Sequence, residues 1–131
     1  MVQIGYHASH EQFTPSHLLA LVRRAELAGF DAIKCSDHFH PWSERQGQSA
    51  FAWSWLGAAM HATSLPFGII SAPGYRYHPA VLAQTAATIG EMYEGSYGSL
   101  LAVAKRSTRQ SPARTGQTRL SATHVFWNEW K

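Results

Sequence analysis

The sequence predicts an α/β fold built on a parallel sheet, and three observations carry that reading. Stretches of strand character alternate with apolar residues on helical spacing, and the alternation repeats every thirty residues or so, which suits strand–helix–strand crossovers and excludes tight hairpins. The segments that follow the strands concentrate His and aromatic residues, where folds of this kind assemble their sites.

Each element follows from its residues. Val2-Gln3-Ile4-Gly5-Tyr6 alternates apolar and polar side chains and reads as a first strand. Thr14-Pro15 supplies an N-cap and N1 pair, and Leu18, Leu19, Leu21, Val22, Ala25 and Leu27 recur on helical spacing until Gly29 offers a C′ stop. Phe30–Ser36 is the second strand, followed by a polar loop through Gln48 and a helix over Phe51–Thr63. Pro66–Ile70 reads as the third strand, and Pro79 opens a helix carrying Val81, Leu82, Ala86, Ile89 and Met92 to Tyr93.

Composition agrees with one folded domain: 131 residues, 45% apolar and 12% aromatic. No run of eighteen apolar residues occurs, and Met1–Gly5 has neither a basic start nor an apolar signal segment, so a cytoplasmic location is expected. The single cysteine, Cys35, rules out an internal disulfide and reads as a small buried hydrophobe. The basic balance (pI 9.3) is unevenly placed. Residues 1–95 carry five Lys and Arg against seven Asp and Glu, whereas residues 96–131 carry six against Glu129 alone. All the excess positive charge belongs to the last 36 residues.

Three strand-end loops hold the candidate chemistry: His7–His10, Asp37–Gln48 and Ser71–His78. The densest is Ser36-Asp37-His38-Phe39-His40-Pro41-Trp42, which places an acid, two imidazoles and an indole in seven residues. An imidazole titrates near neutrality and trades protons, and an indole gives a rigid apolar wall. His7, at the end of the first strand, is a pocket-lining candidate. The His38/His40 pair also admits a metal-dependent hydrolase on a barrel, with further ligands from later strands. Phe51, Trp53 and Trp55 read as packing residues, His61 as structural, and Arg76 as either a phosphate contact or a turn salt bridge. A binding alternative makes Lys105, Arg106, Arg109, Arg114 and Arg119 a nucleic-acid arm, although Trp127 and Trp130 lie too far along to interleave with those charges.

Residues 3–95 resemble the luciferase-like flavin-dependent oxidoreductases, in particular the subgroup similar to deazaflavin-dependent glucose-6-phosphate dehydrogenase and its non-deazaflavin flavin relatives. The resemblance rests on Ile4-Gly5-Tyr6, Ala25-Glu26-x-Ala28-Gly29-Phe30-Asp31, the run Ser36–Trp42, Phe51-x-Trp53-Ser54-Trp55-Leu56 and Arg76-Tyr77-His78-Pro79-Ala80-Val81. It implies a (β/α)8 TIM barrel, of which this chain supplies about three βα units, and hydride transfer between a cofactor and an organic substrate. The cofactor is FMN or the deazaflavin coenzyme F-420. His38 is the implied catalytic histidine beside the reacting ring carbon. Asp37, His7, Ile70 and Ser71 are the expected cofactor-binding residues, with a non-prolyl cis peptide often found near the third strand's end. Trp42 and His40 bound the substrate pocket, and no metal is expected. The expected partners are a small-molecule substrate and a second copy of the parent, with no nucleic acid and no membrane.

Beyond Tyr97 the resemblance stops. The family's fourth strand leads into a motif like Gly-x-Gly-Glu-Ala-Leu-Asn-Glu, whereas this chain reads Gly98-Ser99-Leu100-Leu101-Ala102-Val103-Ala104-Lys105-Arg106. Back-translation with suitable codons, plus one T restored after the Tyr97 codon, reads Tyr-Trp-Val-Ala-Val-Gly-Ser-Gly-Glu-Ala-Leu-Asn-Glu. The same shift makes Ser121–Trp127 compatible with Arg-Asn-Ala-Arg-Leu-Leu-Glu. The expectation is therefore a partial barrel over 1–97, an out-of-frame, disordered basic tail over 98–131, and little activity in this truncated chain. Leu100–Ala104 is expected to pair as a fourth strand by accident.

Overall fold

The computed structural model describes residues 2–71, 76–101, 103–106 and 120–124, with side chains as far as Ser96. In chain order the elements are β1 (Gly5–Ala8), α1 (Pro15–Leu27), β2 (Ala32–Ser36), α2 (Ala52–Ala62), β3 (Phe67–Ser71), α3 (Pro79–Met92), β4 (Tyr97–Leu101), β5 (Val103–Arg106) and β6 (Leu120–His124). Strands β1 to β4 pair in parallel, in sequential order. Each helix crosses from one strand to its neighbour, the βα repeat that the spacing predicts.

Local chemistry sets the helix ends. Thr14 Oγ1 accepts from the His17 amide at the N-terminus of α1, and Pro15 starts the first turn with its fixed φ. At the other end Gly29 adopts φ 84°, a left-handed turn that a side chain would strain, and the Phe30 amide donates back to the Ala25 carbonyl. At the start of α3, His78 Nδ1 accepts from the Ala80 amide ahead of Pro79.

The core lies between one face of the sheet and the three helices. Ala8, Ile33, Cys35, Phe67 and Ile69 project from alternate strand positions onto Leu18 and Val22 of α1, Trp53, Trp55, Leu56 and Ala59 of α2, and Leu82 and Ile89 of α3. Phe67, Leu18, Ile33, Leu56 and Ile69 are almost wholly enclosed, each burial stabilising by about 1.5–3 kcal/mol. The intervening strand positions His7, Lys34, Gly68 and Ile70 occupy the opposite face and are exposed or half-buried. A sheet covered by helices on one face only is what a barrel wall requires.

The structure corrects several sequence expectations. The first strand begins at Gly5 rather than Val2, because pairing starts only where β2 begins, at Ala32. Ahead of it, the Ile4 amide donates to Asp31 Oδ2 and the Asp31 amide to the Ile4 carbonyl, while the Val2 and Ile4 side chains face solvent. Phe30 belongs to the helix exit for the same reason. Leu27, Val81 and Met92 share their helices' apolar patterns but are exposed, since no described helix covers them. Phe51 is half-exposed and is not a core residue; it precedes α2 and turns its ring toward Tyr77. Trp53 and Trp55 are buried as expected, Cys35 is buried, and His61 is exposed.

All described peptide bonds are trans, including those within Ile69–Ser71. The fourth strand runs over Tyr97–Leu101, paired with β3, rather than Leu100–Ala104. Strands β5 and β6 form an antiparallel ribbon. Most of the expected disordered tail, including Arg109 and Arg114, lies outside the described residues.

Candidate active site at the carboxyl ends of the strands

Sequential parallel order brings the ends of β1, β2 and β3 to one edge. Ala8 is in register with Cys35 and Ser36 with Ile70, and the Asp37 amide extends the ladder by donating to the Ile70 carbonyl at 3.1 Å. Ser36 and Asp37 are consecutive residues of extended chain, so their side chains point to opposite sides. Two clusters result, one on each side of the end of β2.

The first is centred on Glu11, three residues past β1 and only 3% exposed. Its Oε2 accepts from the Ser9 hydroxyl at 2.7 Å, and the Ser36 hydroxyl donates to Oε1 at 2.9 Å. Burial alone would raise its pKa. The two serine hydroxyls, a backbone amide and the nearby His38 outweigh that and hold the carboxyl below its ordinary value. Glu11 is therefore a carboxylate at neutral pH. His38 Nε2 stands 3.7 Å from Glu11 Oε1, and the imidazole meets the Trp42 ring edge-on at 5.0 Å between centroids. The His38 side chain is 37% exposed, so one part of the ring faces the anion while another reaches solvent.

The second cluster surrounds Asp37, whose side chain is fully enclosed. Oδ2 accepts from the Ser71 hydroxyl at 2.8 Å; Oδ1 accepts from Arg76 Nη1 at 2.8 Å and from the Tyr77 hydroxyl at 3.0 Å. The Tyr77 hydroxyl is pushed well above the ordinary phenol range by burial and then by the Asp37 charge. The Arg76 guanidinium lies 5.0–5.5 Å from the ring centroids of Tyr77, Phe51 and Phe39.

The structure thus places the predicted residues unevenly. His38 and Trp42 adjoin, and Asp37 and Ser71 are bonded. His7 sits on the exposed face of β1 beside Lys34, and Ile70 is half-buried on that same face of β3. Partial burial, followed by the Lys34 charge, keeps the His7 imidazole below its ordinary pKa. His40 is exposed, with its ring against Phe39 at 4.4 Å between centroids. Among the described residues no three metal-ligating side chains converge. Arg76 resolves as an ion pair with Asp37 rather than a free cation.

Sequence reasoning missed Glu11 and took in His10 only as part of the His7–His10 loop. Glu11 is a lone acid in the sequence, and only the fold brings Ser36 across 25 residues to hold it. The Ser9-x-Glu11 spacing directly after a strand was the available signal. His10 is fully buried, its ring edge-on to Trp55 at 4.6 Å, and neither ring nitrogen has a hydrogen-bond partner among the described residues. Burial, partly offset by Glu11 and Asp37, depresses its pKa from 6.5 to about 4.

Comparison with known proteins places these features in context. A family model described as luciferase-like monooxygenase matches residues 1–98. Curated proteins named F420-dependent glucose-6-phosphate dehydrogenase are 44% identical over 97 residues in Intrasporangium calvum and 45% over 97 residues in Beutenbergia cavernae. Each match covers 72% of this chain, and the chain spans 29% of the length of these relatives. A solved F420-dependent secondary alcohol dehydrogenase, in complex with an F420-acetone adduct, superposes with a TM-score of 0.73 at 48% identity. That match covers 76% of this chain and 31% of the other.

Proposed function

The chain belongs to the luciferase-like monooxygenase family, and we propose that it forms the opening third of an oxidoreductase that moves a hydride between a deazaflavin and the hydroxyl-bearing carbon of a small organic substrate. The observation that carries this reading is the Glu11–His38–Trp42 arrangement: a buried carboxylate, an imidazole 3.7 Å away and an indole edge-on to the imidazole at 5.0 Å between centroids. Oxidising an alcohol to a carbonyl releases a hydroxyl proton with the hydride, and His38 is placed to take it. A carboxylate that is ionised at neutral pH stabilises the resulting imidazolium.

The residues fit a planar ring cofactor. His7, Lys34 and Ile70 line the helix-free face of the sheet, which in a closed barrel is the interior, and the acid nearest that face, Glu11, is already satisfied by serine hydroxyls. Such a group supplies a carbon that accepts or returns the hydride. Ile70 and His7 would support the ring from the helix-free face, Asp37 and Ser71, bonded to each other on the opposite side of the β2 end, would fix the strand ends that frame it, and Trp42 with His40 would bound the substrate. The names of the relatives favour the deazaflavin over FMN. Both relatives' names describe oxidation at a carbon bearing oxygen, which supports an alcohol or sugar substrate.

The family match ends at residue 98, and back-translation with suitable codons gives the family motif in the neighbouring frame; together these support an out-of-frame origin for residues 98–131 and low activity of the chain by itself. Sequencing the gene tests that origin. A neighbouring frame without Gly-Ser-Gly-Glu-Ala-Leu-Asn-Glu removes it. The function is tested on the in-frame, full-length gene product: single-turnover reduction of the deazaflavin by an alcohol should slow on the order of 10²-fold or more in H38A. Unchanged hydride transfer in that variant overturns the role given to His38.

A further inference from the structure

We infer that Arg76 is a positioning residue, which fixes the carboxylate of Asp37 and locks together the loops that frame the cofactor seat; the cofactor part of this inference rests on the function proposed above. Asp37 is enclosed with three donors on its two oxygens, and all three come from β3 or the loop that follows it. Two are neutral hydroxyls. Among the described residues Arg76 is the one full positive charge bonded to it, and a buried carboxylate stripped of such a partner is strongly disfavoured.

The guanidinium is itself packed against three aromatic rings. Phe39 comes from the loop after β2, Phe51 from the residue capping α2, and Tyr77 from the loop before α3, and their rings lie 5.0–5.5 Å from its central carbon. Phe51 and Tyr77 also meet edge-on at 5.9 Å. The Arg76 side chain remains 22% exposed, but its charge is directed at Asp37 and its faces at aromatic rings, so it has little left to offer a ligand phosphate. Removing it would free Asp37 to turn and would uncouple the β2 loop from the start of α2. The effect on ligand binding would therefore pass through Asp37.

The test uses the full 131-residue chain with ¹³C-labelled aspartate, as wild type, R76K, R76M, D37N and R76M/D37N. The first readout is the Asp37 carboxyl resonance at neutral pH. It is expected to move in R76M by more than its linewidth and to stay near the wild-type position in R76K, which restores the charge. The second is fluorescence titration of the same variants, made in the in-frame, full-length protein, with 8-hydroxy-5-deazaflavin, where R76M and D37N should each weaken binding about tenfold and the double variant no further. An Asp37 resonance unmoved in R76M overturns the inference whatever the ring does. Additive weakening in the double variant overturns it too, because Arg76 would then touch the ring directly. If the wild type fails to bind the ring while the resonance moves in R76M and is restored in R76K, the cofactor reading fails and the positioning of Asp37 stands. Should R76M not fold, R76Q replaces it with the same two readouts, since it keeps a donor without the charge.

Discussion

Replacing His10 by leucine should make the chain more stable and less sensitive to acid. The wild-type imidazole is fully buried without a partner among the described residues for either ring nitrogen, and its pKa falls from 6.5 to about 4 on folding. A histidine with a depressed folded pKa binds more protons when unfolded. Its contribution is therefore neutral above pH 6.5 and increasingly destabilising as pH falls toward 4. Integrating between those values gives a loss of about 2 kcal/mol from pH 7 to pH 5 and about 3 kcal/mol by pH 4. Leucine removes that titration. It also removes unsatisfied polar atoms whose burial costs about 1–3 kcal/mol at neutral pH. Urea unfolding of wild type and H10L at several pH values between 7.5 and 4 measures both effects. The stability difference between the two proteins should widen steadily below pH 6.5. A constant difference would mean that the imidazole is already solvated or hydrogen-bonded in the folded chain.

Four further outcomes follow from the same geometry. In the in-frame full-length protein, E11Q should slow hydride transfer on the order of 10²-fold, read by single-turnover kinetics, because the neutral amide no longer stabilises the charged form of His38. In the chain itself, Glu11 has a folded pKa below its ordinary 4.5, so its stabilisation is present above that value and is lost as pH falls through the folded pKa; E11Q should lack that low-pH loss in the same urea series. L56A removes a fully buried side chain between sheet and helices and should cost about 2–5 kcal/mol, seen as a lower urea midpoint with an unchanged slope. G29A forces a side chain into the left-handed conformation at φ 84° and should cost about 1–2 kcal/mol by thermal unfolding.

The βα repeat was legible because each signal was local: Thr14-Pro15 and Pro79 at helix starts, Gly29 at a helix end, and alternating strand residues that the helices cover. The exposed Leu27 and the late start of β1 were not, because burial and pairing depend on neighbours distant in the chain. Within the site, the run Asp37–Trp42 was visible as a concentration of chemistry, but its division was not. Two consecutive residues, Ser36 and Asp37, face opposite sides, and each is bonded to a residue from a different strand end. Glu11 and Arg76 acquire their roles only through contacts across 25 and 39 residues, which composition and spacing do not record.

The most direct test of the central claim, that these strand ends face a deazaflavin ring, is the absorption spectrum of the cofactor that stays with the in-frame, full-length protein through purification. A deazaflavin spectrum, lost or weakened in D37N, is the predicted result. A flavin spectrum, or no chromophore after incubation with excess deazaflavin, would contradict it.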